Sequence, residues 1–142
     1  MLAAFAGACG STAMIYLMHV SAAMTVAAAP PTDAPDLLPA LAGGRSLGSL
    51  AFSEAGSRSH FWAPVSKAQH DGSDVRVEAR KSWVTSAGYA DLSVASTGNA
   101  DADSVDLYAF PATTPGVAVS GEWHGSWRLS RVSWNLRWRS PA

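Results

Sequence analysis

The chain of 142 residues carries ten Lys and Arg against eleven Asp and Glu, so its formal charge is −1 at pH 7. This balance suits one small domain and excludes a strongly basic nucleic-acid-binding protein, so we expect no nucleic-acid partner. Charged residues make up only 15% of the chain, below the roughly 25% of an ordinary soluble domain, and the shortage is concentrated at the N-terminus.

The N-terminal segment has no charged side chain before Asp33. A helix over residues 2–29 would be about 42 Å long, enough to cross the roughly 30 Å hydrocarbon core of a membrane. Its short apolar centre, followed by small residues, equally suits a cleaved secretory signal. We therefore predict that residues 1–29 form a signal peptide or a transmembrane helix.

Three residues of this segment are candidates for helix packing. Gly7 and Gly10 would let two helices approach closely. His19 would need a polar partner, because an imidazole is costly in hydrocarbon. These residues favour a membrane lipid or a membrane protein as the partner.

Residues 30–46 are predicted to form a linker, because they begin with several prolines and end near a glycine pair. Pro-rich chain is stiff and extended. Asp36 is placed to cap one helical turn that runs through Leu41 and ends at Gly43.

From residue 47 the hydropathy pattern changes to a period of two, which indicates strands. Val75, Val77, Ala79 and Trp83 share one parity and the charged residues at 76, 78 and 80 share the other, with Lys81 as the one exception. Shorter runs separated by turn residues predict further strands at 60–65, 92–96, 105–110 and 117–119, and two more in the C-terminal segment. We therefore predict a mainly β fold, in which residues 47–142 form a small antiparallel sandwich or barrel after one apolar helix and a Pro-rich linker.

Tryptophan and arginine are interleaved near the C-terminus. On a strand, the indoles would fill the core while the guanidinium groups line the solvated face. If exposed, the same residues would bind an anionic lipid surface or stack on a sugar ring. The candidate ligand-binding or surface-binding residues are Trp123, Trp127, Trp134, Trp138, Arg128, Arg137 and Arg139.

Catalytic and metal-binding motifs are weak, so we predict no catalytic residue, no metal site and no cofactor. Asn99, Asp101 and Asp103 alternate as in a calcium loop, but the glycine and glutamate that complete such a loop are absent. The sequence has no Gly-rich phosphate loop. His70 and Asp71, beside a turn, are the pair that an acid–base mechanism would use.

Together these patterns predict a non-catalytic, membrane-tethered or secreted β-domain, located outside the cytoplasm, that acts as a binding or accessory subunit. Three alternatives remain open. One is a carbohydrate-binding module that uses exposed tryptophan, another is a small hydrolase, and the third is a structural subunit of a membrane assembly.

Overall fold

The computed structural model describes residues 1–31, 34–54, 56–57, 63–71, 74–120 and 131–139, with the backbone alone at 71, 120 and 131–139. Three helices in these residues precede the strands: α1 (Leu2–Ala8), α2 (Gly10–Ala28) and α3 (Leu37–Ala42). The strands are β1 (Gly48–Ala51), β2 (Ala68–Asp71), β3 (Asp74–Lys81), β4 (Leu92–Gly98), β5 (Val105–Pro111), β6 (Ala118–Ser120) and β7 (Arg131–Arg139).

The strands form two sheets that share one core. The first sheet has the order β1-β4-β5, with β1 parallel to β4 and β5 antiparallel to it. The second sheet is antiparallel and has the order β2-β3-β7-β6. Buried side chains from both sheets form a single cluster, so the core lies between the sheets. Its buried members are Ala51, Ala68, Val77, Ala79, Val84, Ala95 and Phe110.

Helix α2 packs directly against strand β1. A Cβ placed on Gly48 would lie 3.0 Å from the Cβ of Ala22 and 3.2 Å from Cδ2 of Leu41 in α3. The N–H of Gly48 also donates a hydrogen bond to Nδ1 of His19, at 3.1 Å. Because glycine faces alanine here, the helix approaches the strand closely, and Leu41 and Val26 are buried beside Leu92 in a second cluster.

The predicted fold class is therefore wrong. The fold combines α and β structure, since α2 and α3 contribute to the packing, and the parallel β1–β4 pair is incompatible with a purely antiparallel sandwich or barrel. The physical reason is the small size of the helix side chains. Alanine lets a helix lie close to a sheet, and a charge-free, Ala-rich stretch has the same composition whether it faces lipid or protein. The predicted division of the chain at residues 30 and 47 stays a prediction.

Several local predictions are confirmed. Strand β3 follows the predicted odd–even pattern as far as Lys81, where it ends. The placement of Trp83 on the apolar side of the same strand is wrong, because Trp83 lies in the following loop and is 51% exposed. Strands β4, β5 and β6 overlap the runs predicted at 92–96, 105–110 and 117–119. The predicted helical turn after Asp36 is helix α3, although the Asp36 side chain forms no capping hydrogen bond. The second C-terminal strand is β7, whereas the first lies outside the described residues. Residues 63–65, the described end of the run predicted at 60–65, are not in a strand.

Candidate functional site

Two segments from different sheets meet at one edge of the core: residues 52–54, which follow β1, and residues 81–86, which are the last residue of β3 and the loop after it. We call them the loop pair. The N–H of Ser82 donates to the carbonyl oxygen of Ser53 at 2.8 Å, and the hydroxyl of Ser49 donates to the carbonyl of Thr85. The loop pair is thus held by hydrogen bonds that cross from the first sheet to the second.

A buried ion pair lies at the base of the loop pair. The side chain of Lys81 is 0% exposed and that of Glu54 is 4% exposed, and Nζ lies 2.5 Å from Oε1. Nζ also donates to the carbonyl oxygen of Ser96 in β4. Oε2 of Glu54 accepts the N–H groups of Val65 at 2.7 Å and Ser66 at 2.8 Å. The two charges therefore join four segments that are distant in sequence, and every charged atom has a hydrogen-bonding partner.

The pKa of each partner reflects burial and pairing. Burial raises the pKa of Glu54, but the Lys81 ammonium and the hydroxyl and N–H of Ser66 outweigh it, so the pKa is below its usual value. Burial lowers the pKa of Lys81 by more than the Glu54 carboxylate raises it.

The loop after β3 holds two residues in a conformation that glycine usually adopts. Trp83 and Ser86 both have φ of 59°. A positive φ is a genuine outlier for a bulky residue such as tryptophan, and such strain is concentrated at functional sites. The Trp83 residue is 51% exposed, whereas the adjacent Val84 is buried in the core. The strained backbone therefore directs an indole ring toward solvent from a firmly anchored loop.

The same loop offers a row of backbone donors. Within the described part of the chain, no acceptor bonds to the N–H groups of Trp83, Val84, Thr85 or Ser86. Successive unpaired N–H groups beside a left-handed residue form a concave site for electron-rich atoms. The arrangement of an exposed indole next to these donors suits a planar aromatic ligand with carbonyl groups on one edge.

The predicted helix-packing residues lie far from this site. A Cβ on Gly7 or Gly10 would meet nothing within 4 Å, so no other described part of the chain approaches these glycines closely. His19, by contrast, finds its polar partner within the chain, at Gly48. Contact of these residues with a partner helix stays a prediction.

The predicted Trp–Arg residues fall partly in β7. The backbone register pairs Trp134 with Ala79 and Trp138 with Val75. It pairs Arg137 with Arg76 and Arg139 with Asp74. Trp123, Trp127 and Arg128 lie outside the described residues. A ligand-binding role for this set stays a prediction.

The acidic turn between β4 and β5 is held by its own hydrogen bonds. Oδ1 of Asn99 accepts the N–H groups of Asp101 and Ala102 at 2.8 and 2.9 Å. Oδ2 of Asp101 lies 2.8 Å from Nε2 of His70, and both side chains are exposed. Among the described residues, no group of three or more His, Cys, Asp or Glu side chains is placed to hold a metal ion.

Sequence reasoning did not select Trp83, Glu54 or Lys81 as site residues. One signal was available for Lys81, which is the charged exception on the apolar side of β3. A lysine at a core position requires a buried anion, and Glu54 is that anion.

No family model and no curated protein matches the chain. Its fold is nevertheless similar to that of several solved structures, among them dehydrogenases. Glutaryl-CoA dehydrogenase from Mycobacterium smegmatis matches with a TM-score of 0.80 and 19% identity, over 92% of this chain and 35% of that chain. A structure described as FAD-dependent dehydrogenase matches with a TM-score of 0.74 and 25% identity, over 91% of this chain and 37% of that chain. FkbI, for biosynthesis of the methoxymalonyl extender unit of Fk520, matches with a TM-score of 0.74 and 28% identity, over 92% of this chain and 38% of that chain.

These similarities define the class of fold and correct the predicted role. The chain spans about a third of the length of the proteins it matches. Among the described residues, one helix, α2, is long and apolar enough to cross a membrane, but the core helix of a soluble protein passes the same test. The glutaryl-CoA dehydrogenase structure matches 92% of this chain, and the unmatched part is shorter than the 19 residues of α2. Helix α2 is therefore at least partly included in the shared fold. The predictions of a signal, a transmembrane helix and a secreted or membrane protein are therefore contradicted.

The predicted function is contradicted on the same grounds. The solved structures named above share this fold, and two of them are described as dehydrogenases and not as non-catalytic, membrane-tethered or secreted β-domains. The predicted location outside the cytoplasm and the predicted membrane partner stay predictions.

Proposed function

We propose that the chain binds flavin adenine dinucleotide at the loop pair and forms part of an FAD-dependent dehydrogenase of the acyl-CoA dehydrogenase type. The names of three similar structures support the cofactor: a glutaryl-CoA dehydrogenase in complex with FADH2, an FAD complex of PigA, and an FAD-dependent dehydrogenase. The acyl thioesters of coenzyme A in several of these names are the proposed substrate class.

Trp83 is the observation that carries the proposal. A flavin ring is planar and apolar on its faces, with carbonyl and nitrogen acceptors along one edge. An exposed indole stacks on such a face. The N–H groups of residues 83–86, which have no acceptor among the described residues, can donate to such an edge. The residues present therefore fit this cofactor.

Each part of the site has one task in this proposal. When bound, FAD supplies the hydride acceptor for substrate oxidation. Trp83 orients the ring by stacking, and the backbone of residues 83–86 fixes its rotation by hydrogen bonds. The Glu54–Lys81 pair holds the two loops together from below, and because its charges neutralise each other it adds no net charge beside the flavin.

FAD fluorescence titrated with the full chain tests this proposal. Wild type is expected to quench the flavin emission on binding, because indole stacking quenches it. Trp83→Phe is expected to keep part of the affinity, since a smaller ring still stacks. Trp83→Gly is expected to lose binding by roughly tenfold or more, the equivalent of one lost stacking contact.

Two controls separate loss of the site from loss of the fold. Trp83→Gly relieves a strained positive φ but also loses the contacts of a half-buried indole. Because these effects oppose each other, its free energy of unfolding is expected to stay within about 1 kcal/mol of the wild-type value. Tyr89→Ala removes an aromatic ring that is 85% exposed, and we expect binding to be unchanged. Equal FAD affinity in wild type and Trp83→Gly would contradict the proposal.

A further inference from the structure

Helix α2 carries a row of apolar and small residues that the rest of the described chain does not bury. The residues follow one another at intervals of four and three positions in alternation, so they lie along one narrow side of the helix. Each of them is exposed or half-buried, and Met14 and Met24 are 48% and 66% exposed. We call this set the outer row, and its members are Gly10, Met14, Leu17, Ser21, Met24 and Ala28.

The opposite side of α2 is already occupied by its own chain. Ala22 packs on Gly48 of β1, and Val26 is buried in a cluster with Leu41 of α3. His19 accepts the hydrogen bond from the N–H of Gly48. Because these contacts fix the rotation of the helix, the outer row cannot turn toward the sheet, and a partner for it must come from another molecule.

The spacing of the outer row indicates that this partner is a helix. A repeat of 3.5 residues is the pattern by which two helices pack, because each side chain then enters a gap between side chains of the facing helix. A lipid surface requires only an apolar face, and basic residues beside that face usually meet the phosphate headgroups. The first Lys or Arg of this chain is Arg45, well beyond the end of α2. The pattern therefore favours a facing helix over a membrane.

The absence of charge favours a second copy of this chain over a different protein. Unlike helices are usually matched by opposite charges beside the packing seam, and neither α1 nor α2 contains an Asp, Glu, Lys or Arg. In a dimer with two-fold symmetry the same surface is used by both subunits. An uncharged surface therefore brings no like charges together when it meets its own copy.

The exposed apolar surface of α1 and α2 is large enough for a dimer. The rings of Phe5 and Tyr16 lie 5.3 Å apart, so α1 is held beside α2 and extends its apolar surface. At about 200 Å² for a fully exposed residue, the large apolar side chains present roughly 700 Å², close to the roughly 800 Å² that each partner contributes to a standard interface. These side chains, which are on average about half exposed, are Met1, Leu2, Phe5, Met14, Ile15, Leu17 and Met24.

We propose that the chain forms a homodimer in which the outer row of one copy packs against the outer row of the other, with α1 at the margin of the contact. Gly10, Ser21 and Ala28 leave gaps that the longer Met and Leu side chains of the second copy fill. No residue of the loop pair belongs to the outer row, so the dimer does not depend on the proposed FAD function.

Analytical ultracentrifugation of the full chain tests the proposal, at concentrations from about 1 to 100 µM, a range that includes the dissociation constants of weak interfaces. Wild type is expected to shift from monomer to dimer as its concentration rises. Leu17→Glu places a charge in the middle of the contact and is expected to raise the dissociation constant roughly tenfold or more. Circular dichroism of this variant is expected to match wild type, since Leu17 is exposed within one copy. An equal mixture of Leu17→Glu and Leu17→Lys is expected to form dimers again, because the two charges then attract.

Two neighbouring alanines provide a matched control. Ala27 and Ala28 are both exposed at the end of α2, but only Ala28 belongs to the outer row. Ala28→Glu is expected to weaken the dimer, whereas Ala27→Glu makes the same change on another side of the helix and is expected to stay within about twofold of wild type.

A flotation experiment with neutral phosphatidylcholine vesicles separates the dimer from lipid binding. Wild type at dimer-forming concentrations is expected to stay unbound, because its outer row is covered by the second copy. The proposal is overturned if wild type remains monomeric over the whole concentration range, if Ala27→Glu weakens association as much as Ala28→Glu, or if Leu17→Glu dimerises as well as wild type. Binding of monomeric wild type to the vesicles would assign the outer row to a lipid surface instead.

Discussion

Helix α2 and the loop pair differ in how the polarity of their residues relates to burial. The helix contains no charged residue, yet its buried side chains are only Ala13, Ala22 and Val26, while Met14, Ile15, Leu17 and Met24 are exposed. The loop pair contains an acid and a base, yet both Glu54 and Lys81 are almost completely buried. In this molecule the apolar segment is the more exposed of the two regions.

The contrast shows that burial here is decided by available partners and not by hydropathy alone. Helix α2 is buried where a neighbouring element offers a matching surface, as at Gly48 of β1 and Leu41 of α3. Lys81 is buried because Glu54 and the Ser96 carbonyl replace the water it loses. A buried charge with every partner in place is tolerated, whereas an apolar side chain without a neighbour stays at the surface.

The largest expected effect comes from removing one member of the buried pair. Lys81→Met leaves the Glu54 carboxylate buried without its cation, which typically costs about 3–5 kcal/mol. Urea unfolding measured by circular dichroism gives the free energy of unfolding. The double variant Glu54→Met/Lys81→Met removes both charges and is expected to be more stable than the single variant.

The control for this prediction is Lys67→Met, which removes the same charge from an exposed position. Its effect is expected to stay within about 0.5 kcal/mol. If Lys81→Met and Lys67→Met lose similar stability, then burial of the pair contributes nothing and the contrast between the two regions fails.

The next effect concerns the pH dependence of the same pair. The pKa of Glu54 in the folded state is below the ordinary value of 4.5. Its stabilising contribution is therefore complete above about pH 4.5 and is lost as the pH falls through the folded-state pKa. The pKa of Lys81 is also lowered, but this affects stability only at alkaline pH. There the folded state releases the lysine proton at a lower pH than the unfolded state, whose pKa has the ordinary value of 10.5, so stability rises with pH. The acid loss therefore belongs to the carboxylate.

Denaturant unfolding at several pH values below neutrality checks this assignment. We expect the free energy of unfolding to fall more steeply with acid in wild type than in Glu54→Gln, whose amide cannot titrate. The loss is expected to be smaller than in Lys81→Met, because Lys81 keeps its contacts with the carbonyls of Ser96 and Phe52. Parallel curves for the two proteins would show that Glu54 does not set the acid limit.

The sequence predicts the strands well where one face of the strand is exposed to solvent and the other is buried. In β3 the alternation of Arg76, Glu78 and Arg80 with apolar residues marks a half-exposed strand. It fails for β1, because Gly48 and Ser49 belong to a short strand covered on both sides and have no alternating pattern. It also fails for α2, because a charge-free alanine helix that packs on a sheet has the composition of a membrane segment.

The candidate site is harder to predict, because it depends on contacts between residues distant in sequence. Lys81 breaks the pattern of β3, but its partner Glu54 is 27 residues away, and a single sequence does not indicate that pairing. The positive φ of Trp83 has no sequence signal, since tryptophan rarely adopts it. Only the folded backbone shows that this indole is presented by a strained loop.

The smallest of these effects tests the packing of the helix. Gly48→Ala would bring a methyl group to 3.0 Å from the Cβ of Ala22 and 3.2 Å from Cδ2 of Leu41, closer than ordinary contact, and overpacking of this kind costs about 1–3 kcal/mol. Gly7→Ala makes the same change where nothing lies within 4 Å, and it is expected to be neutral or stabilising because alanine favours the helix. Thermal unfolding of both variants compares them directly. Since the double variant Gly48→Ala/Ala22→Gly relieves the crowding, it is expected to recover part of the loss. If Gly48→Ala is as stable as Gly7→Ala, then α2 does not rest on β1, and the helix has no closer tie to the sheet than its exposed side chains suggest.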